Sequence, residues 1–493
     1  MKDGYPKEIR DVAAVLAHAG FEAYLVGGCV RDLLLGTVYS EPVEPKDWDV
    51  ATNAKPDEIQ KLFPDSVYEN KFGTVGVKTD SEDQKLKIVE VTTYRIEGKY
   101  SDKRHPDEVT FAENIEDDLS RRDFTVNAMA LGMVNEESGI VDPFHGRKDL
   151  EDKIIRAVGD PDARFTEDAL RILRAVRFSA QLGFAIDPRT EQAMRRHAGL
   201  LEFISKERIR DEFVKLIATD RAHEGVRMLE RDGLLKFVLP ELEEGVDVGQ
   251  NKHHIYSVFE HNVRSLQYAV EQRFDTDVRI ASLLHDVGKP RSKRGEGPDC
   301  TFYGHQVVGE RMALEVLDRL HFPKDRAERI ALLIREHMFV YDPETVTDAG
   351  ARRLVRRVGK ENLEALFQLR EADRIGSGVP KAQPYRLRHL KFRIEKVSQD
   401  PISAKMLKVN GQDIMQEAGI APGPKVGAIL AVLLEEVLDD PTVNDRDVLI
   451  ARAQNLARLD DKQLAEMAKF ARKSADEAQT RVEEEIKKKY YVK

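Results

Sequence analysis

The sequence predicts an α+β protein of several domains, a small N-terminal head with a mixed sheet followed by an all-helical remainder. Three observations predict it. Strand-like alternation of apolar and polar residues, as in Val89-Glu90-Val-Thr-Thr-Tyr-Arg95, lies within the first 156 residues. Beyond about residue 157 the apolar residues recur at near-helical spacing instead, first Leu170, Leu173, Val176 and Phe178, then Ile209, Phe213 and Leu216. A chain of 493 residues is also too long for one core and implies three or four domains.

The boundaries follow from punctuation. The head spans 1–156 and a helical neck 157–245. Gly245-Val-Asp-Val-Gly-Gln-Asn251 reads as a loop between domains, and Ser377-Gly-Val-Pro-Lys-Ala-Gln-Pro384 as a second one. Between them lies a third helical region, 252–380, and after them a helical tail, 385–493. From about residue 459 the tail is dense in Lys, Glu, Ala and Gln with few large apolar residues. Charged residues at 34% and hydrophobic ones at 41% are a soluble, globular balance. No apolar run reaches membrane length, and MKDGYPKEIR has no signal-peptide character. The two cysteines, Cys29 and Cys300, offer no framework of bridges, so two reduced thiols and a cytoplasmic location are expected. A net charge of −10 does not by itself exclude nucleic acid, because a basic stripe on an acidic body can hold a phosphate backbone.

The head carries the strongest chemical signal. Leu25-Val-Gly-Gly-Cys-Val-Arg-Asp-Leu-Leu-Leu-Gly36 reads as an apolar strand running into a Gly-Gly turn that opens a helix. Gly27 and Gly28 would let backbone amides approach a phosphate, with Arg31 beside them. Asp47 and Asp49 stand two apart, and on a strand that spacing puts both carboxylates on one face. Paired carboxylates are the hard oxygen ligands that Mg²⁺ takes. The combination suits a nucleoside triphosphate and two metals, for in-line phosphoryl or nucleotidyl transfer. Arg121-Arg122-Asp123-Phe124-Thr-Val-Asn127 adds Arg122 for phosphate or ribose and Asp123 and Asn127 as fixed hydrogen-bonding groups. Glu90 is either a third carboxylate at the metals or a solvated strand residue.

Residues 24–186 resemble the class II tRNA nucleotidyltransferases, the CCA-adding enzymes and their poly(A) polymerase relatives. The resemblance is carried by LVGGCVRDLLLG at 25–36, DWDVAT at 47–52, FGTVGV at 72–77 and VTTYRIEGKYSDKRHP at 91–106. It continues through RRDFTVNAMA at 121–130, DPFHGRKDL at 142–150 and EDALRILRAVRF at 167–178, and resumes with VNGQDIM at 409–415 and GIAPGPKVGAIL at 419–430. It implies a nucleotidyltransferase head, followed by a neck in which Asp168 and Arg171 hydrogen-bond the Watson–Crick edge of the incoming base. Their i, i+3 spacing would place them on one helical face, a pattern that a surface ion pair also satisfies. Arg174 and Arg177 are supports of that pair or tRNA contacts; the sequence leaves both open.

The third region contains His261, His285-Asp286, His305, His337 and Asp373, a series that resembles the HD phosphohydrolase superfamily. Imidazole and carboxylate suit Mn²⁺, Ni²⁺ or Co²⁺. The competing reading is a retained fold used only to contact tRNA. Two basic clusters each read as either an RNA surface or a solvated face. Arg352, Arg353, Arg356, Arg357 and Lys360 form one. Arg386, Arg388, Lys391, Arg393 and Lys396 form the other, interleaved with Tyr385 and Phe392. Lys425 would sit near phosphate at a helix start.

The resemblance therefore implies an enzyme that transfers CMP and AMP from CTP and ATP to the 3′ end of tRNA, building or repairing CCA. Asp47 and Asp49 would hold Mg²⁺, and the HD region would add a phosphohydrolase side activity. Three alternatives compete. One is an A-only or CC-only enzyme or a poly(A) polymerase. Another is an HD phosphohydrolase with an inactive head, and the third a tRNA-binding protein without catalysis. The stretch Arg95–Arg104, which in the family helps switch from C to A, argues against CC-only addition. The intact head motifs argue against a decayed transferase.

Overall fold

A computed structural model describes residues 5–39, 43–45, 47–68, 73–97, 109–133, 139–250, 255–398 and 404–492. The chain divides into two compact units. One comprises Met1–His337 with Glu364–Pro380, the other Met338–Leu363 with Lys381–Lys493.

The head is built on a mixed sheet. Its strands are β1 (Tyr24–Val26), β2 (Asp49–Thr52), β3 (Ser66–Tyr68), β4 (Thr74–Lys78) and β5 (Ile88–Thr93). A separate ribbon, β6 (Arg95–Glu97) with β7 (Val109–Phe111), precedes β8 (Ala130–Gly132) and β9 (Ile140–Val141). The seven-stranded order is β3-β4-β5-β2-β1-β8-β9, antiparallel except for the parallel pair β2 and β5. The central strands are covered, so Leu25, Val26, Val50 and Ala51 are all buried. On β5, Val89 and Val91 are buried while Ile88 and Glu90 are exposed, which realises the expected period of two. The strand expected to carry both carboxylates begins only at Asp49; Asp47 lies in the segment before it. Residues 98–104 of the stretch tied to the C-to-A switch lie outside the described residues.

The neck is helical. The helices Leu170–Leu182 and Lys206–Ile217 bury Leu170, Leu173, Val176 and Phe178, and Ile209, Phe213 and Leu216, the residues whose spacing predicted them. One expectation fails here. Asp168 is not on a helical face with Arg171. The helix Pro161–Glu167 stops before it, and Asp168 takes an extended conformation (φ −141°, ψ 102°). Its carboxylate accepts the N–H of Leu170 at 3.1 Å, which serves the first turn of the next helix instead of prolonging the last one.

Five further helices of this unit, Val258–Glu271, Thr276–Leu284, His305–Arg319, Lys324–Glu336 and Leu363–Gly376, surround the HD residues. Gly288 explains how two of them meet. A Cβ at this position would lie 2.3 Å from the carbonyl oxygen of His305 and 2.5 Å from the amide nitrogen of Gly309. Only glycine lets the turn after Asp286 approach the helix that begins at His305.

The second unit packs Pro424–Asp439 against Arg446–Ala457 and the long helix Asp461–Tyr490 around Ile414, Ile429, Val432, Leu433, Leu449, Leu456 and Leu464. The long helix forms despite its poverty in large apolar residues because Ala, Lys, Glu and Gln are good helix formers, and Leu464, Ala468 and Ala471 supply a narrow buried stripe. The helix Asp348–Val358, within the region expected to end at residue 380, also belongs to this unit. It packs on Tyr385–Ser398, where Arg393 donates to Asp348 at 2.9 Å. Among the described residues no helix is long and apolar enough to cross a membrane.

Candidate functional site

Strand β1 ends in Gly27, whose φ of +77° lets the chain turn sharply into the helix Gly28–Tyr39. A Cβ there would meet a guanidinium nitrogen of Arg122 at 3.0 Å and Oδ2 of Asp49 at 3.6 Å. The turn is therefore wedged between a cation and a carboxylate. It opens onto a cleft of about 780 Å³ lined by Gly27, Gly28, Arg31, Asp47, Asp49, Arg122, Asp123, Asn127, Asp168, Arg171, Arg174 and Arg177. Each candidate residue of the head and neck except Glu90 is thus in one place. Glu90 is the register partner of Asp49 across the parallel pair, so both side chains leave the same face. It is exposed and is not among the lining residues.

The cations in the cleft are held in place. Arg31 donates from Nε to Asp32 at 2.9 Å and from Nη1 to Asn127 at 2.7 Å. Arg122 donates to Asp118 at 3.1 Å. Asp123 accepts from Arg174 Nε at 2.7 Å, from the N–H of Phe124 at 2.8 Å and from Asn127 Nδ2 at 3.3 Å. Arg177 donates to Glu212 at 2.6 Å and to Gln181 at 2.9 Å. Arg31, Arg174 and Arg177 share the ring of Phe178, at 5.5, 5.3 and 3.9 Å from its centroid. Burial pushes the Asp49 carboxyl above its ordinary range, Arg122 opposes the shift and Asp47 adds to it. A divalent cation between Asp47 and Asp49 would supply the charge that this pair lacks, so the donor set fits one.

Asp168 and Arg171 both line the cleft, but neither pairs with the other. Asp168 is gripped by Arg208, Nη1 to Oδ1 at 3.1 Å and Nη2 to Oδ2 at 2.7 Å. Arg171 donates to Glu167 at 2.7 Å and to the carbonyl of Arg121 at 2.9 Å.

The six HD residues converge in the interior. The His261 and His285 Nε2 atoms are 3.0 Å apart. Asp286 reaches His261 at 3.1 Å, His285 at 3.4 Å, His305 at 3.2 Å and His337 at 3.7 Å. Asp373 reaches His261 at 3.4 Å and His285 at 3.6 Å. Two metal-competent groups, His261/His285/Asp286 and Asp286/His305/His337, share Asp286. The Nδ1 atoms of His285, His305 and His337 lie 2.9, 2.8 and 2.7 Å from the backbone carbonyls of Ser282, Phe302 and Ile334. Hydrogen bonds to those carbonyls put the proton on Nδ1 and leave each Nε2 lone pair facing the centre. Burial and the neighbouring His285 push His337 down to about 3, so it stays neutral. Burial also disfavours a charged His261, but hydrogen bonds to Asp286 and Asp373 outweigh it and lift His261 to about 9. Two carboxylates held well below their ordinary range, with four imidazole Nε2 atoms gathered around them, form a donor set that fits a divalent metal.

In the second unit the basic clusters differ. Arg386 pairs with Asp342 at 2.9 Å, Lys396 with Glu483 at 2.7 Å, and Arg388 donates to the carbonyls of Tyr490 and Tyr491 at 3.1 and 3.0 Å. Lys391 is only partly buried and has interactions of its own. Lys425 donates to the carbonyl of Leu459 and pairs with Asp461, both at 3.1 Å. Arg352, Arg353, Arg356 and Arg357 are exposed, opposite the buried stripe Ala351, Leu354 and Val358. Among the described residues Arg352, Arg353 and Arg356 have no acidic partner.

Sequence reasoning missed Asp118, Glu212 and Arg208, which orient the cleft, and Lys289, 2.6 Å from both Asp286 and Gln250 in the HD centre. Lys289 stands in the same run as His285-Asp286, which was its signal. Arg208 and Glu212 had none, because their partners lie 40 and 35 residues away.

Comparison with known families matches residues 23–156 to the Poly A polymerase head domain, 183–245 to the probable RNA and SrmB-binding site of polymerase A, and 258–377 to the HD domain. The chain is 36% identical over 427 residues to the A-adding tRNA nucleotidyltransferase of Deinococcus radiodurans, covering 84% of this chain and 91% of that one. It is 32% identical over 460 residues to the CCA-adding enzyme of Ligilactobacillus salivarius, covering 92% and 98%. Among solved structures it resembles the Bacillus stearothermophilus CCA-adding enzyme in complex with CTP, with a TM-score of 0.57 at 28% identity over 93% of this chain and 98% of that one.

Proposed function

Because the chain belongs to the tRNA nucleotidyltransferase and poly(A) polymerase family, we infer that it adds CMP and AMP from CTP and ATP to the 3′ end of tRNA to build or repair CCA. The observation that carries this reading is the convergence in one cleft of the Gly27-Gly28 turn, the carboxylates Asp47 and Asp49, and the groups suited to reading a base, Asp168 and Arg171.

Each residue then has a chemical task. Gly27 and Gly28 bring backbone N–H groups and a helix N-terminus to the triphosphate, and Arg31 and Arg122, held by Asp32, Asn127 and Asp118, meet its charge. Asp123 and Asn127, themselves hydrogen-bonded, grip the ribose. Asp168 accepts from the exocyclic amine of cytosine or adenine, and Arg171 donates to a ring nitrogen or carbonyl. Arg174 and Arg177 support that reading end from behind through Asp123 and Glu212. Asp47 and Asp49 would hold Mg²⁺, with Glu90 as a further carboxylate on the same face of the sheet. Bound there, the ion supplies Lewis-acid stabilisation for the attacking tRNA hydroxyl and the leaving pyrophosphate.

The HD centre would hold Mn²⁺, Ni²⁺ or Co²⁺ and hydrolyse phosphoesters at RNA ends, such as a 2′,3′-cyclic phosphate. The exposed arginines of Asp348–Val358 would bear on the tRNA backbone, with Arg386, Lys391 and Lys425 as further contacts. The absence of a membrane-crossing helix among the described residues agrees with a cytoplasmic enzyme.

Purified protein incubated with labelled CTP or ATP, and with tRNAs ending before, within and after CCA, tests the reading. Stepwise addition of both nucleotides supports it. Addition of AMP alone to tRNA ending in CC would favour an A-adding enzyme, the reading that the Deinococcus radiodurans relative carries. No incorporation on any tRNA would sink the assignment.

A further inference from the structure

Asp168, the group proposed above to accept a hydrogen bond from the base, does not project freely into the cleft. A carboxylate offers about four acceptor positions. Oδ1 uses two of them, for the Leu170 N–H at 3.1 Å and Arg208 Nη1 at 3.1 Å. Oδ2 uses one, for Arg208 Nη2 at 2.7 Å. One position on Oδ2 is left for a ligand. Both side chains line the cleft and are mostly buried, at 16% and 24% exposed. The guanidinium fork engages both oxygens at once and so sets the plane of the carboxylate as well as its position, which an ammonium on a flexible stem cannot do.

The consequence is chemical. An acceptor-only group with a single lone pair, held in a fixed plane, takes a hydrogen bond from cytosine N4 or adenine N6. At the matching place uracil and guanine present a carbonyl oxygen, which such a group repels. A carboxylate free to swing could turn away from that oxygen and tolerate the wrong base. We propose that Arg208, on the helix Lys206–Ile217, is a positioning residue that sets base selectivity by clamping Asp168 with its bidentate fork. This rests on the reading of Asp168 as the group that meets the base.

The test measures kcat/KM for all four nucleoside triphosphates with tRNA lacking its terminal nucleotides. The proteins are the wild type, Arg208→Lys, Arg208→Met, Asp168→Ala and the double variant Asp168→Ala/Arg208→Met. Arg208→Lys keeps the charge and loses the fork, so the preference for CTP over UTP and for ATP over GTP should fall by about tenfold or more, as in Arg208→Met. Inhibition by inorganic triphosphate, which reports the phosphate end of the cleft, should stay unchanged. In the double variant, which leaves neither charge unpaired, selectivity should match Asp168→Ala alone, because Arg208 acts through Asp168. Full selectivity in Arg208→Lys, with kcat lowered equally for all four nucleotides, would overturn the proposal while leaving the role of Asp168 standing. A further loss in the double variant would overturn it as well. Undiminished selectivity in Asp168→Ala would remove the reading on which it rests.

Discussion

Replacing Arg174 with alanine tests the electrostatic frame of the cleft. Asp123 has a side chain only 9% exposed, and its strongest partner is the Arg174 guanidinium, 2.7 Å from Nε and 2.6 Å from Nη2. Burial pushes the carboxyl up, but Arg174 overrides burial and holds it below its ordinary range. In Arg174→Ala the charge keeps as hydrogen-bond donors only the neutral Phe124 N–H and Asn127 Nδ2. Breaking a buried pair costs about 3–5 kcal/mol. Arg174 is itself 32% exposed, so water can partly replace it, and a loss of about 2–3 kcal/mol is expected. The pH dependence has a definite sign. A depressed carboxyl contributes stability above its unfolded pKa of about 3.9 and loses it as pH falls through the folded value. The wild type therefore keeps this contribution down to about pH 4. In the variant burial is opposed by the charge of Arg171 and the Phe124 and Asn127 donors but no longer by Arg174, so the pKa rises, Asp123 takes up a proton more readily as pH falls and the penalty is relieved. The difference between the two proteins should be largest near pH 7 and shrink toward pH 5, by up to about 1.4 kcal/mol per unit. Thermal melting at both pH values, with hydrogen exchange of Arg121–Ala130, measures it. An equal penalty at pH 5 and pH 7, or none, would refute the reasoning.

Three other outcomes are expected. Asp47→Ala or Asp49→Ala should lower nucleotide addition by roughly a hundredfold or more with an unchanged melting temperature, and wild-type incorporation by either would remove the proposed metal site. His285→Ala combined with Asp286→Ala should strip bound metal, measured by elemental analysis, and abolish hydrolysis of cyclic phosphate across Mg²⁺, Mn²⁺, Ni²⁺ and Co²⁺ while tRNA addition persists; absence of both metal and hydrolysis in the wild type would leave the centre without an enzymatic role. Changing Arg352, Arg353 and Arg356 together to Gln should reduce the slope of log affinity for tRNA against log salt by roughly two, because each phosphate contact contributes about 0.7–0.9. Arg388→Gln, which unties the carbonyls of Tyr490 and Tyr491, should instead lower the melting temperature of the tail and leave the slope unchanged.

Local order made much of this protein legible in its sequence. Gly27-Gly28, Asp47-x-Asp49 and Arg122-Asp123 are short runs whose chemistry depends on neighbours a few residues away, so the chemistry of the head could be read directly, whereas the metal-competent centre, whose six residues are spread over 261–373, was legible only as a series resembling the HD superfamily. The helical spacing of Leu170, Leu173 and Val176 likewise fixes a buried face without knowledge of its partner. Tertiary structure alone decided what holds these groups. Arg208 clamps Asp168, Glu212 anchors Arg177 and Asp118 anchors Arg122, through contacts between residues that no local pattern joins except in the last case. It also decided that Asp168 stands between two helices, its carboxylate accepting the Leu170 N–H, instead of lying on a helical face, since a short polar side chain can satisfy either role and packing chooses. The same holds for the basic residues. Sequence counts the arginines of 352–357 and 386–396 alike, but the fold places acids and carbonyls against the second group and leaves Arg352, Arg353 and Arg356 facing solvent, because an ion pair forms only where packing brings an acid within reach of the guanidinium.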